Sequence, residues 1–175
     1  KVSQKLDLLM ELIRSESQQA KKRSEEISLE KNNLEKLIND ALIISDADSI
    51  FKITKDLDIV STEIEDLENI KNILINFFSN SIKACQKTDI ESKLFIKTRA
   101  VKENLLIQVT DNGIGMSEET MQQIFEAGFS TKDDEDSGYG LHNSQVVAQK
   151  MHGEIIAESL GIGQGATFTL KLPLK

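Results

Sequence analysis

The sequence predicts an α+β fold, a two-layer α/β sandwich in which helices cover one face of a mixed, mostly antiparallel sheet. A long amphipathic helix ends near Cys85, an alternating strand pair follows it, and a second strand pair closes the chain around a glycine-rich stretch. Helices with one apolar face, combined with paired strands, form such layers. A separate N-terminal helix precedes the sandwich.

The N-terminal part is predicted to be mainly helical. Residues 3–20 place Leu6, Leu9, Met10 and Ile13 on one stripe at helical spacing. A lone helix cannot bury such a stripe, so it must pack on a partner. The charged run 21–26 suits a solvated helix end and linker. A short strand at 27–29 and a helix capped by Asn33 come next.

The rest of the chain alternates between strands and helices. Alternation at 51–57 predicts a strand, and 60–64 a further one. A long helix is predicted from about residue 67 to 85. Two hairpins are predicted, and the second closes around Gly161–Gly165; their strands are 94–101 with 105–110, and 153–160 with 166–172.

Composition limits the function. The 175 residues suffice for one full domain and an appendage, and the single cysteine excludes an internal disulfide framework. A net charge of -8 argues against a general nucleic-acid binder, which needs a basic surface. A nucleotide site needs only a few local donors. Because no apolar run reaches the roughly 18 residues of a bilayer span, we expect no membrane contact by this fragment.

A polar stripe lies along the long helix. Asn76, Asn80 and Lys83 share one face at helical spacing, beside bulky apolar residues. An amide oxygen is a hard ligand suited to Mg²⁺, and a lysine supplies a point charge to phosphate. An exposed polar helix face gives the same pattern.

Two glycine motifs follow. Asp111-Asn-Gly-Ile-Gly115 ends a strand, and its carboxylate can accept a hydrogen bond from an exocyclic amine such as that of adenine. An ordinary turn is the alternative. Gly138-Tyr-Gly-Leu141 opens a helix, whose free N–H groups can bind phosphate.

Together, the order and spacing of these motifs resemble the ATP-binding domain shared by sensor histidine kinases, DNA gyrase, a heat-shock chaperone and mismatch-repair ATPases. The resemblance covers roughly residues 33–173. It implies the Bergerat-type ATP-binding fold, with ATP and Mg²⁺ bound. We expect two units: residues 1–25, resembling the second helix of a dimerisation hairpin with its linker, and 26–175, the ATP-binding catalytic domain.

The resemblance implies specific roles for individual residues. It assigns Mg²⁺ to Asn80, the terminal phosphates to Lys83 and the adenine amine to Asp111, with Thr167 near that carboxylate. Asn76 and Lys83 are the predicted catalytic residues. The predicted nucleotide-binding residues are Asn76, Asn80, Lys83, Asp111, Gly113, Gly115, Phe129, Ser130, Thr131, Lys132, Gly138, Tyr139, Gly140, Leu141, His142 and Thr167.

Other positions distinguish the branches of this superfamily. Gyrase and the chaperone carry a glutamate where Asn76 stands, and an amide is a poor general base, so Asn76 favours transfer of the phosphate over hydrolysis. Phe125 and Phe129 are predicted to anchor a lid that begins at Ser130 and has an acidic tip at 133–136. His142 replaces the commoner glycine, with a role either in phosphate binding or in local capping.

We therefore expect a histidine kinase catalytic region that lacks its acceptor. His142 and His152 both lie inside the nucleotide domain, so the acceptor histidine is expected upstream of Lys1. The resemblance implies a response-regulator receiver domain as partner, a homodimer through the dimerisation helices, and a cytoplasmic location. The alternatives are a Ser/Thr kinase of the anti-sigma type, an ATP-gated switch without transfer, or a pure interaction module.

Overall fold

A computed structural model of the chain describes residues 16–19, 34–58, 66–129 and 138–174. Residues 16–19 are helical and exposed, in agreement with the predicted N-terminal helix. Several predicted features lie outside the described residues. They are the rest of that helix, the linker at 21–26, the strands predicted at 27–29 and 60–64, the Asn33 cap and the lid residues 130–136.

The sheet is mixed and mostly antiparallel, as predicted. Its strands are β1 (Lys52–Leu57), β2 (Lys93–Val101), β3 (Asn104–Asp111), β4 (Glu154–Glu158) and β5 (Ala166–Pro173). They lie in the order β1-β2-β3-β5-β4. Only the β1–β2 pair is parallel among these neighbours. Both predicted hairpins are confirmed, and the last strand of the chain pairs with β3 inside the sheet.

Besides the helical residues 16–19, five helices accompany the described strands. They are α1 (34–44), α2 (Ala47–Ile50), α3 (Leu67–Cys85), α4 (Glu118–Gln123) and α5 (Gly140–Lys150). Among the described residues, no helix has both the length and the apolar character that crossing a bilayer requires.

The core lies between the helices and one face of the sheet. Alternate residues of β3 are buried, so one face of this strand joins the core and the other is partly exposed. Leu105, Ile107 and Val109 come from that strand, and Ile73 and Phe77 of α3 join the same cluster. Phe77 also stacks on Phe168 of β5, with ring centroids 5.3 Å apart. Each large apolar side chain buried in this way contributes about 1.5–3 kcal/mol to folding.

Helix α3 fixes the position of the polar stripe. Its buried residues recur at intervals of three and four, which turns one side of the helix toward the sheet. Asn80 lies at the edge of this buried side and is half-buried, whereas Lys83 is exposed and lies in the last turn, where a cation is favoured. The predicted bounds of this helix agree with the structure.

Candidate nucleotide site

A cavity of about 300 Å³ lies beside α3, at the end of β3. This volume is at the lower end of the range typical of small-molecule sites. The predicted site residues that line it are Asn80, Lys83, Asp111, Gly115, Phe129, Gly138 and Leu141. Segments that are far apart in the sequence therefore meet around one concave space.

Asp111 is the buried acidic group of this cavity. It ends β3 and is only 4% exposed. Ser81 Oγ donates to its Oδ2 at 2.9 Å, and the Gly113 N–H donates to its Oδ1 at 2.9 Å. Burial raises the pKa of the Asp111 carboxyl, while the hydrogen bonds from Gly113, Ser81 and the Ala166 backbone oppose that shift. The carboxylate is therefore held in a fixed orientation at the cavity wall.

Ser81 was missed by the sequence analysis. It follows Asn80 directly, but its side chain is fully buried in the face of α3 that meets the end of β3. A serine among the buried positions of an apolar helix face was the available clue, because a buried hydroxyl needs a partner. The apolar lining was missed as well, including Ile114, Met116 and Phe168.

The loop after Asp111 approaches its neighbours too closely for side chains. A Cβ on Gly113 would lie 2.7 Å from Ala84 Cβ, and Gly115 has a φ of +67°. The Ile114 N–H donates to the Ala84 carbonyl at 3.2 Å. Ala84 is thus half-buried against this loop and lines the cavity.

The β4–β5 connection holds the same loop from the other side. The Gly163 N–H donates to the Ile114 carbonyl at 2.6 Å, and the Gly165 N–H donates to the Gly113 carbonyl at 3.1 Å. Ser159 Oγ accepts from the Met116 N–H at 3.0 Å. These backbone bonds keep the loop beside the Asp111 carboxylate.

The other end of the cavity is polar and basic. Asn80 and Lys83 line it from α3, and Lys87 lines it from the turn that follows this helix. Asn80 is half-buried, and its Nδ2 has no hydrogen-bond partner among the described residues. This amide is thus not held by protein groups in the described part of the chain. An unpartnered N–H donor beside two lysines fits the acceptor oxygens of a phosphate.

Several predicted residues lie outside the lining of the cavity. Asn76 donates from Nδ2 to Ser144 Oγ of α5 at 3.0 Å. His142 Nδ1 lies 3.1 Å from the Phe125 carbonyl, which can only accept, so this nitrogen is the donor. The hydroxyl oxygens of Thr167 and Thr110 lie 2.9 Å apart and share a hydrogen bond. Because side chains alternate along a strand, Thr167 lies on the face of β5 away from its neighbour Phe168, which lines the cavity.

The segment that carries the predicted lid begins and ends at the cavity. Phe125 packs against the core, and Phe129 lines the cavity, in keeping with their predicted anchoring. The Gly128 N–H donates to the Gly138 carbonyl at 3.0 Å, so the two ends of the segment lie side by side. Tyr139 is 56% exposed. Ser130, Thr131 and Lys132 lie outside the described residues.

Comparison with known proteins identifies the family. The sequence pattern of the histidine kinase-, DNA gyrase B- and HSP90-like ATPases matches residues 65–175. The chain belongs to this family. The match covers the cavity from α3 to β5, so the family resemblance derived from the motifs is confirmed.

Relatives of this ATPase domain are named as sensor proteins. The sensor protein BceS of Halalkalibacterium halodurans is 32% identical over 154 residues, which cover 85% of this chain and 45% of that protein. The sensor histidine kinase ZraS of Klebsiella oxytoca is 35% identical over 113 residues, covering 62% of this chain and 23% of that protein. The chain spans less than half the length of these relatives.

Solved structures of the same family share the fold. The catalytic domain of the histidine kinase ThkA superposes with a TM-score of 0.68 at 24% identity, covering 81% of this chain and 93% of that domain. Full-length ShkA, solved in complex with AMPPNP, gives a TM-score of 0.67 at 21% identity, covering 81% of this chain and 30% of that protein. The two-layer α+β architecture predicted from the sequence is therefore confirmed.

Proposed function

We propose that this chain is the ATP-binding catalytic region of a two-component sensor histidine kinase. It would transfer the γ-phosphate of ATP to a histidine in an upstream part of the same protein, for relay to an aspartate of a response regulator. The observation that carries the proposal is the single cavity that joins the buried Asp111 to Asn80 and Lys83. The names of the sensor-kinase relatives favour this function over a Ser/Thr kinase or a switch.

The adenine base would bind at the Asp111 end. A carboxylate whose oxygens are oriented by Ser81 and Gly113 retains lone pairs that can accept from the exocyclic amine of adenine. Guanine carries a carbonyl oxygen at the corresponding position, and two acceptors facing each other repel. Ile114, Met116 and Phe168 supply apolar surface for the flat ring.

The phosphates would extend toward the basic end of the cavity. We propose that Asn80 holds Mg²⁺ through its amide oxygen and that Lys83 contacts the terminal phosphates. When bound, Mg²⁺ neutralises phosphate charge. The backbone N–H groups at the start of α5 would bind the phosphates, because the N-terminus of a helix favours anions. Ser130, Thr131 and Lys132 remain predicted phosphate contacts.

Transfer would depend on orientation and charge more than on covalent chemistry. Phosphoryl transfer requires in-line positioning of the acceptor and stabilisation of charge on the oxygens. At position 76 stands an asparagine whose amide is hydrogen-bonded to Ser144. An amide cannot take a proton from water. The domain would therefore retain ATP for a protein acceptor.

The wider assembly is part of the same proposal. We propose that residues 1–25 belong to a dimerisation hairpin, that the protein acts as a homodimer, and that its partner is a receiver domain in the cytoplasm. His142 is bonded to Phe125 and lies within α5, so it is not proposed as the acceptor.

Calorimetric titration with a non-hydrolysable ATP analogue, with and without Mg²⁺, tests the proposal. Wild-type protein should bind more tightly with Mg²⁺. Asn80→Ala should weaken Mg²⁺-dependent binding by roughly tenfold or more, because a metal ligand is lost. Asn72→Ala is the matched control, since Asn72 is exposed on the same helix and does not line the cavity.

The outcomes are distinct. Absence of nucleotide binding by the wild-type protein would refute the ATP site. Binding that is insensitive to Mg²⁺ in both wild type and Asn80→Ala would refute the metal assignment alone.

A further inference from the structure

Asn76 is bound to the helix that follows the lid segment. Its Nδ2 donates to Ser144 Oγ at 3.0 Å, and Ser144 is 7% exposed. Asn76 itself is half-buried and is not among the residues that line the cavity. The side chain that the sequence analysis assigned to the nucleotide is therefore engaged with protein instead.

The oxygen of the same amide faces the first residue of α5. A Cβ on Gly140 would lie 2.5 Å from Asn76 Oδ1. The amide thus occupies the space that a larger residue at position 140 would need. Since Gly140 and Ser144 lie one turn apart on the same helix face, Asn76 contacts both ends of the first turn of α5.

We propose that Asn76 is a positioning residue, which acts through Ser144 and Gly140 to set the first turn of α5 against α3. This inference rests on the proposed function, in which the backbone N–H groups of that turn bind the nucleotide phosphates. Asn76 would then affect phosphate binding without touching the nucleotide. Ser144, which no sequence motif singled out, becomes part of the same device.

The residues proposed to bind the base are separate from the contacts that Asn76 makes with Ser144 and Gly140. Asp111 is oriented by Ser81 and Gly113, and neither contacts Asn76 in the hydrogen bonds described. Loss of the Asn76–Ser144 bond should therefore weaken binding of nucleotides that carry phosphates and leave adenosine binding unchanged. A general loss of folding would instead weaken both.

A double-mutant cycle measures this coupling. Calorimetry on Asn76→Ala, Ser144→Ala and the double variant should give ADP binding that is weaker by about three- to tenfold in each, the range expected for one lost hydrogen bond. The double variant should be no weaker than Asn76→Ala, because that substitution already removes the hydrogen bond to Ser144. Ser144→Thr keeps a hydroxyl and should restore wild-type affinity.

NMR on the ligand-free protein provides an independent measurement. Asn76→Ala and Ser144→Ala should both shift the amide resonances of Gly140 and Leu141, while those of Gly113 and Gly115 stay unchanged. Adenosine titrations followed by the same spectra should match the wild type.

Two outcomes would overturn this inference while the proposed function stands. One is additive losses in the double variant. The other is a large loss of ADP affinity in Asn76→Ala with none in Ser144→Ala, which would indicate direct contact with the nucleotide. Wild-type protein that binds neither ADP nor the ATP analogue would refute the proposed function itself, and this inference with it.

Discussion

Asp111 is a buried acidic residue, and the groups around it set the pKa and the orientation of its carboxyl. A buried carboxylate loses solvation, which raises its pKa, while donors from Ser81 and Gly113 favour the ionised form. A carboxylate oriented on both oxygens is a better acceptor for one defined amine than a freely rotating one. Under the proposed function, recognition of the base would depend on the Ser81 hydroxyl, which does not belong to any glycine motif.

Ser81→Ala should weaken binding of the ATP analogue by about three- to tenfold and reduce the preference for ATP over GTP, because Asp111 Oδ2 loses its donor. Competition titrations with the two nucleotides measure both effects. Ser45→Ala is the control, since Ser45 donates to the Ala41 carbonyl at 2.8 Å and does not line the cavity. An unchanged ATP-to-GTP ratio in Ser81→Ala would contradict the role of this hydroxyl.

Cys85 is a buried thiol close to Asp111 and Asn112, and we expect it to react slowly. Its side chain is 2% exposed, and burial together with the nearby charge of Asp111 raises the pKa of the thiol to about 11. At pH 8 only roughly a thousandth of such a thiol is ionised, whereas a free cysteine has a pKa of about 8.5.

Labelling of Cys85 with a disulfide reagent should therefore be slow in the native protein and fast in denaturant. The rate in the native state should rise with pH up to about 11, as the thiolate forms. Absorbance of the released thiol measures both rates. Equal rates in native and unfolded protein would show that the thiol is not buried.

At the scale of elements, the loops that frame the cavity pack backbone against backbone. A Cβ on Gly115 would lie 2.1 Å from the Gly161 carbonyl oxygen, whereas a Cβ on Gly163 meets nothing within 4 Å. Both glycines have positive φ, at +67° and +78°. A comparison of alanine substitutions at these two glycines therefore separates the cost of the positive φ, which both share, from the cost of steric contact, which only Gly115 has.

Gly115→Ala should destabilise the fold by more than Gly163→Ala. Positive φ costs about 1 kcal/mol in both, and displacement of the Gly161 backbone adds to the cost only in the first. Urea unfolding followed by circular dichroism gives the two free energies of unfolding. Equal losses would indicate that the β4–β5 connection does not press on the loop at residues 113–116.

The predictions from the sequence were most accurate for long periodic elements. Helix α3 was predicted with its observed bounds, because its apolar positions recur at helical spacing over many residues. The parallel pairing of β1 with β2 was not predicted, because partners in a sheet are chosen by tertiary packing.

The same distinction separates the site residues that the sequence placed correctly at the cavity from those that it did not. Asn80, Lys83 and Asp111 lie on elements whose orientation follows from periodicity, and the structure brings them to one cavity. To place Thr167, one must know which face of β5 its side chain occupies. To place Asn76, one must know that Ser144 of another helix lies beside it. Neither follows from local spacing, and the roles of all these residues stay predictions until nucleotide binding is measured.

At the scale of the whole molecule, the candidate site is assembled from distant parts of the chain. Asn80 lies on α3, Asp111 ends β3, and Ala166 of β5 pairs directly with Asp111. Contacts that join such distant segments form late, because long loops must close first. Nucleotide binding should therefore report the integrity of the complete sheet and not of any single motif.

Strand β5 lies inside the sheet, between β3 and β4, and is the last of the described strands to leave the ribosome. All of α3, β2 and β3 emerge before the last strand, yet a Cβ on Gly165 would lie 2.0 Å from the Asp111 carbonyl oxygen, so the cavity wall beside Asp111 is completed only there. A nascent chain that ends before residue 160 would hold Asn80, Lys83 and Asp111 and still lack the part of the wall that Ala166 and Phe168 supply.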